Sequence, residues 1–289
     1  MVESWAPEQL QAFERDGFLI VEDGYVEDDT VEALRVRFDA LFAADYETGI
    51  RPDEVNWVAG RDPEDRTRQI CNGWKADPVI ARQVLAEHTG RLTAELMGWK
   101  GVRLLQDNCI WKPPATKPLG MHQDGSYLDY LVPPEMITCW IALDDTSAEA
   151  GTITYAAGSH HWPRSPENRG EFHAPPDWLE PARRSLPDGE ELRLVPIEVR
   201  AGGASFHHFN TFHGSGPNTA SVHRRAVISH LIPADAEFHS EHVDPVYSRY
   251  RRVGDMALDE SFFPVVWTRD GRRSAWLDVP ALAEAGHRA

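Results

Sequence analysis

The chain changes texture near Val102, and that change constrains its fold more than any other feature. Upstream, apolar residues recur at helical spacing. Pro7 opens a helix over 7–16, and Val31, Leu34, Phe38, Leu41 and Phe42 form one face of a helix from Asp28 to about Tyr46. Pro78 to about Met97 reads as a second long helix, and a short strand falls at 18–22. Downstream the pattern breaks into short β-rich segments, at roughly 102–111, 136–144, 151–156, 191–199, 203–209 and 224–232, separated by Gly, Pro and Asn. Helices followed by many short strands predict a mainly β fold with flanking helices. The expected architecture is a double-stranded β-helix, a cupin-like jelly roll, with the helices backing one face of a two-sheet barrel.

At 289 residues the chain is at the upper end for one core, yet it contains no internal repeat, low-complexity segment or Ser/Gly linker. It therefore reads as one domain over 1–289, with a helical part over about 1–100, a jelly-roll core over about 101–234 and an extension over about 235–289. Three cysteines, Cys71, Cys109 and Cys139, lack CxxC spacing, which argues against a disulfide framework or zinc knuckle and for a reducing cytoplasm. The first residues carry no basic cluster or apolar h-region, and no stretch approaches about 18 apolar residues, so neither secretion nor membrane insertion is expected. A formal net charge of −17 disfavours nucleic acid as a partner, because binding a polyanion needs a basic footprint. The basic residues Arg249, Arg251 and Arg252 form a short knot, expected to pair with Asp255, Asp259 and Glu260. The negative field suits a cationic substrate such as an aminosugar, and it equally suits plain solubility.

Chemistry concentrates in His122-Gln123-Asp124, answered 89 residues after Asp124 by His213 and then by Arg224. In an extended segment, residues two apart point to one side and lie ~6.6 Å apart, so His122 and Asp124 can converge on one ion. Two imidazoles and one carboxylate on one face of a metal leave the other positions open. Fe(II) needs those positions to take a bidentate 2-oxo acid and O2 together. His213 is the best candidate for the third ligand. It opens the turn-rich stretch 213–219, which precedes the apolar run Ala226-Val227-Ile228. A hairpin centred on Asn218-Thr219 would set His213 and Arg224 roughly opposite each other on one face. An arginine there is what a 2-oxo dicarboxylate requires, because a guanidinium grips a distal carboxylate with two parallel hydrogen bonds. An HxD triplet alone is weak evidence in a chain with 13 histidines; the arginine in register is what raises it.

These residues, with others along the chain, resemble the phytanoyl-CoA dioxygenase-like family of Fe(II)/2-oxoglutarate oxygenases. The likeness runs over nearly the whole sequence: the opening segment from Leu10 to Val21, Trp111-Lys112-Pro113-Pro114 leading to Gly120-Met121-His122-Gln123-Asp124, and the strand from Thr138 to Asp145. Gly151-Thr152 and Gly158-Ser159-His160 follow, and His213-Gly214-Ser215-Gly216-Pro217-Asn218 is the most specific stretch. The resemblance implies His122, Asp124 and His213 as iron ligands, Arg224 as the anchor of the 2-oxoglutarate C5 carboxylate, and Ser215 as its helper. It also puts Asn108, Thr138 and Trp140 near the co-substrate, although sheet hydrogen bonding or core packing would explain those three as well. Asp124 favours oxygenation, since related halogenases lack this carboxylate. The implied reaction consumes 2-oxoglutarate and O2 and oxidises a C–H bond by hydroxylation, oxidative cyclisation or desaturation.

Two segments are candidates for the substrate mouth: 125–134, with Ser126, Tyr127 and Tyr130, and the Pro- and charge-rich stretch from about His160 to Glu190. Trp57, Gln69, Asn72 and Trp74 lie between the helices and are weaker candidates. Of His207 and His208, alternation turns only one inward, and a satisfied core histidine is the simpler reading than a fourth ligand. The expected substrate is a small molecule, with a natural-product intermediate such as a sugar or aminoglycoside antibiotic precursor ahead of an acyl-CoA, because no basic cradle for CoA phosphates stands out. Two other classes stay open: a zinc-type metal-dependent hydrolase or lyase using the same His/Asp/His set, and a non-catalytic jelly-roll binding module. The oligomeric state is not legible.

Overall fold

The computed structural model describes residues 2–166 and 172–278. The helical part holds α1 (Pro7–Asp16), α2 (Asp28–Phe42), α3 (Pro78–Val84) and α4 (Glu87–Met97), with strands β1 (Phe18–Val21), β2 (Glu54–Val55) and β3 (Arg68–Cys71) between them. Then come β4 (Gly101–Lys112), β5 (Leu119–His122), β6 (Leu131–Val132), β7 (Ile137–Ala142), β8 (Ile153–Ala156), α5 (Glu180–Ser185), β9 (Leu194–Pro196), β10 (Ala204–His208), β11 (His213–Ser215), β12 (Arg224–Pro233), β13 (Glu237–Phe238) and β14 (Val265–Thr268). One sheet of eight strands runs in the order β1-β10-β7-β12-β4-β3-β2, with β14 also on β4; a second of four runs β5-β11-β8-β9; β6 and β13 form a small pair. The two larger sheets form the expected jelly roll. β1, β2, β3 and β14 all belong to the eight-stranded sheet, so the helical part contributes three strands and the extension one to the same framework. No described helix is long and apolar enough to cross a membrane.

Strand alternation divides the large sheet into two faces. Cys109, Cys139, Ile141, Val227 and Leu231 point outward and join Val31, Leu34, Phe38 and Leu41 of α2, Ile80 and Val84 of α3 and Leu92 of α4 in the main core. Each such fully buried aliphatic or aromatic side chain contributes about 1.5–3 kcal/mol relative to exposure. The opposite face, carrying Asn108, Ile110, Thr138, Trp140, Arg224, Ile228 and His230, lines a cavity between the sheets.

Three sequence expectations need correction. The helix expected over 78–97 is two helices. Asp77 caps α3 through Oδ1, which accepts from the amides of Val79 and Ile80, and a turn at Leu85-Ala86 redirects α4. Gly90 then lies against β14, where an added Cβ would stand 2.8 Å from Val266 and 2.9 Å from Trp267. The hairpin over 213–224 does not form either. β11 pairs with β5 and β8, whereas β12 pairs with β4 and β7, so His213 and Arg224 stand in opposite sheets. Asn218 drives that crossing: its amide bonds Thr116 O, its carbonyl takes the Ala115 amide, and Nδ2 donates to Lys112 O and Val222 O. The loop is thereby tied to the 113–116 turn instead of to itself. In the basic knot, Arg252 does pair with Asp259, but Arg249 reaches Asp53 at 3.7 Å and Arg251 donates to the carbonyls of His239 and Ser240. Asp255 instead accepts from the Ala257 amide, and Glu260 pairs with Arg272.

Candidate active site

β5 and β11 are neighbours with His122 opposite His213, and their rings lie 4.1 Å apart. This approach depends on Gly214, where a Cβ would meet Met121 N at 2.9 Å and Leu119 O at 3.0 Å. Gln123 continues β5 in extended conformation, with its side chain donating to Asn210 O and accepting from the Ser165 amide, and Asp124 opens a 3-10 turn. The backbone thus returns the carboxylate to the side of His122. Asp124 Oδ1 lies 3.5 Å from His122 Nε2 and 3.6 Å from His213 Nε2. Among the described residues, His122, Asp124 and His213 are the one group whose His, Cys, Asp or Glu ligand atoms gather closely enough to hold a metal, all within 4.8 Å.

The orientation of the donors suits a cation. His122 Nδ1 lies 3.0 Å from Gly120 O and His213 Nδ1 lies 2.9 Å from Thr211 O. A carbonyl can only accept, so each Nδ1 carries a proton, and each Nε2 is turned towards the cluster. Burial, reinforced by His122, holds His213 well below the usual histidine range. Burial alone would raise the Asp124 carboxyl, but His213, His122 and His207 around it outweigh that and hold it well below the ordinary range. Two imidazoles with Nε2 turned inward and an anionic carboxylate between them are a donor set that a metal can take.

Arg224 faces the same cavity from β12. It is 2% exposed, and its Nε and one terminal nitrogen both donate to Gly151 O, at 3.1 and 2.9 Å. Gly151 has φ +66, and a Cβ there would stand 2.7 Å from Gly216 O, so this carbonyl can be presented only by glycine. No carboxylate of a described residue lies within salt-bridge distance of Arg224. Burial lowers its guanidinium to about 9, partly offset by Asp144, which leaves a buried cation still charged at neutral pH. Such a group calls for an anion. Ser215 lines the cavity too, and its Oγ lies 3.0 Å from Nζ of the fully buried Lys112. With Lys112 donating, the Ser215 hydroxyl keeps its own proton for a ligand. Lys112 itself is held well below the usual lysine range by burial and by the charge of Arg224.

All eight residues singled out from the sequence, His122, Asp124, His213, Arg224, Ser215, Asn108, Thr138 and Trp140, line one cavity of about 380 Å³. Their partners differ from expectation in places. The Thr138 hydroxyl is engaged by Asp124 Oδ2 at 3.0 Å and His230 Nδ1 at 2.9 Å. Asn108 bonds His230 Nε2 at 2.9 Å and Gln69 Nε2 at 3.3 Å, and Trp140 packs with Phe18, Tyr155 and Ile228. His207 is the inward member of its pair, buried against Tyr155 and Asp124, while His208 turns away. Of the mouth candidates, Tyr127 and Tyr130 line the cavity, Ser126 bonds Ser165, and Phe172 and His173 come from the 160–190 stretch, of which 167–171 lie outside the described residues. Gln69 reaches the wall; Trp57, Asn72 and Trp74 do not. The sequence reading missed His230, Lys112, Gln106 and Tyr247. His230 had a signal: counting in twos from Arg224 along β12 puts it on the same face.

Comparison with known proteins agrees with this geometry. A probable alpha-ketoglutarate-dependent hypophosphite dioxygenase of Stutzerimonas stutzeri is 32% identical over 175 residues, a match spanning 58% of this chain and 58% of that protein. The alpha-ketoglutarate-dependent carbocyclase SnoK from nogalamycin biosynthesis superposes with a TM-score of 0.70 at 24% identity, over 91% of this chain and 97% of the other. The epimerase SnoN, solved with Fe3+, alpha ketoglutarate and nogalamycin RO, superposes at 0.67 with 20% identity, over 90% and 98%. The family profile described as phytanoyl-CoA dioxygenase matches residues 13–226. With that match over most of its length, the chain belongs to the phytanoyl-CoA dioxygenase family.

Proposed function

We propose that the protein is an Fe(II)- and 2-oxoglutarate-dependent oxygenase, with His122, Asp124 and His213 as the iron ligands and Arg224 as the anchor of the co-substrate. The carrying observation is the pairing of a convergent Nε2/Oδ1/Nε2 set with a buried guanidinium that has no carboxylate partner among the described residues, both lining one cavity. The donor set fits a divalent cation with open positions. Iron there supplies the oxidising power, coupling decarboxylation of 2-oxoglutarate by O2 to oxidation of a substrate C–H bond and releasing succinate and CO2. The protein's share is placement and dryness. Arg224 offers two parallel donors to a carboxylate and Ser215 a third, while Trp140, Ile110 and Ile228 exclude water beside them. A zinc hydrolase would leave the Arg224 cation without a task.

The cavity also narrows the substrate. Among the described residues, Arg224 is the one lysine or arginine that lines it; the others include Glu54 and Asp244, the carboxamides of Gln69, Gln106 and Asn108, and Tyr130 and Tyr247 over an apolar floor of Leu105, Leu128 and Met136. With Arg224 engaged by 2-oxoglutarate, such a wall suits an uncharged or amine-bearing, hydroxyl-rich molecule better than a phosphorus oxyanion or an acyl-CoA. We therefore read the substrate as a small organic intermediate of the natural-product kind, a reading supported by the likeness to the nogalamycin enzymes. The test is anaerobic titration of the Fe(II)-loaded protein with 2-oxoglutarate. A saturable visible charge-transfer band, absent from Asp124→Ala, is expected; folded, iron-loaded protein with no band would overturn the assignment. Succinate release across amine- and hydroxyl-bearing candidates, against acyl-CoAs, then tests the substrate class.

A further inference from the structure

The two oxygens of Asp124 stand in different surroundings. Oδ1 faces the Nε2 atoms of His122 and His213, whereas Oδ2 is contacted by Thr138 Oγ1 at 3.0 Å and His207 Nε2 at 3.4 Å. Hydrogen-bond polarity can be followed outward from there, because a carboxylate only accepts. Thr138 must donate to Oδ2, so its oxygen accepts from His230 Nδ1 at 2.9 Å. His230 Nε2 is then an acceptor and takes Asn108 Nδ2 at 2.9 Å, and Asn108 Oδ1 takes Gln69 Nε2 at 3.3 Å. On the other side His207 donates through Nε2, so its Nδ1 accepts from the Tyr155 hydroxyl at 3.0 Å, whose oxygen in turn accepts from Ser205 Oγ at 2.7 Å. Two chains of donors, rooted in different strands, run one way and end on the same oxygen.

We propose that Thr138 and His207, each held by its own donor chain, are positioning residues that keep Asp124 Oδ2 engaged, so that Oδ1 alone is presented to the metal. This rests on the ligand set proposed above. The consequence is a ligand ordered in advance: a carboxylate free to turn would have to be fixed by the ion itself, at a cost in metal affinity. Thr138, Asn108 and Gln69 line the same cavity, so the chain also ties the metal carboxylate to the wall a substrate touches.

Mn(II) binding to the metal-free protein, read by loss of the free-ion electron paramagnetic resonance signal, tests this without turnover. Thr138→Val keeps the shape and removes the donor, and its Mn(II) affinity is expected to fall about 10–100-fold. Thr138→Ser should restore affinity to near the wild-type value. His230→Phe should weaken binding less than Thr138→Val, and the double variant should be no weaker than Thr138→Val alone, because the two act as one chain. Thermal melts of the metal-free variants separate these effects from misfolding, and His207→Phe tests the second chain should Thr138→Val not fold. Wild-type affinity in Thr138→Val, no rescue by serine, or multiplicative losses in the double variant would overturn the proposal. Mn(II) binding unchanged by Asp124→Ala has a different meaning: it would remove the ligand set itself, and the proposal with it.

Discussion

A guanidinium withdrawn from water beside a backbone carbonyl is costly, and that carbonyl is the one hydrogen-bond partner of the Arg224 side chain among the described residues. Under the proposed anchoring, binding of 2-oxoglutarate offsets that cost. Arg224→Met, of similar length and without charge, is expected to melt no earlier than the wild type in the absence of ligand. With Mn(II) and 2-oxoglutarate, the wild-type melting temperature should rise, because a ligand that binds the folded state alone adds about 2.7 kcal/mol of stability at a hundredfold excess over Kd, while the variant shows the Mn(II) increment only. A full 2-oxoglutarate shift in Arg224→Met would refute the anchor. This residue was legible because its chemistry is rare: an arginine following His213 at strand-compatible spacing has few structural uses. His207 and His230 were harder to read, since in a chain with 13 histidines an inward imidazole says nothing until the atoms it faces are known.

At the scale of elements, the sequence pattern predicted each long strand of the jelly roll but not which strands are neighbours. Alternation and turn residues are local signals. The choice between a hairpin and a crossing at 216–223 was made instead by Asn218 bonding Lys112 O, more than a hundred residues away in sequence. Although that pairing was wrong, His213 and Arg224 both line one cavity, each from a different sheet. The short β5, β6 and β13 escaped notice because two to four residues carry no periodicity. What β5 and β11 share is close approach, and Gly214 provides it. Gly214→Ala puts a Cβ into backbone atoms of β5 that no rotamer change can move. The strands must part by a few tenths of an ångström, taking His122 away from His213. Mn(II) titration should show a loss of at least about tenfold, comparable to losing an outer-shell partner, beside a lowered melting temperature; an unchanged Mn(II) affinity would mean that the ligand spacing tolerates the shift.

At the scale of the molecule, the extension beyond β12 forms part of the cavity wall through Asp244, Val246 and Tyr247, and a charged cluster fixes it to the helical part. Asp53, from the segment before β2, takes Lys75 Nζ at 2.7 Å, Asn72 Nδ2 at 2.6 Å and the Tyr250 hydroxyl, and Lys75 also reaches Tyr250 at 3.0 Å. Asp53 and Lys75 are nearly buried, with side chains 7% and 9% exposed. Nothing in the residue pattern announced this contact, because it joins residues about two hundred apart whose types are ordinary for a surface. Removing one partner of a buried pair leaves the other charge uncompensated, at a cost of about 3–5 kcal/mol, whereas removing both is often neutral. Asp53→Asn should therefore lower the melting temperature at pH 7 by on the order of 5–10 °C, and adding Lys75→Met should recover most of the loss. Burial works to raise the Asp53 carboxyl, but Lys75, Tyr250 and Asn72 outweigh it and lower its pKa in the folded state. A lowered carboxylate contributes stability above its unfolded pKa and loses it as pH falls through the folded value. The gap between wild type and Asp53→Asn should accordingly be widest at neutral pH and close in acid. A gap that persists unchanged below the carboxylate range, or a double variant as unstable as the single, would show that the charge pair is not what holds the extension against the cavity.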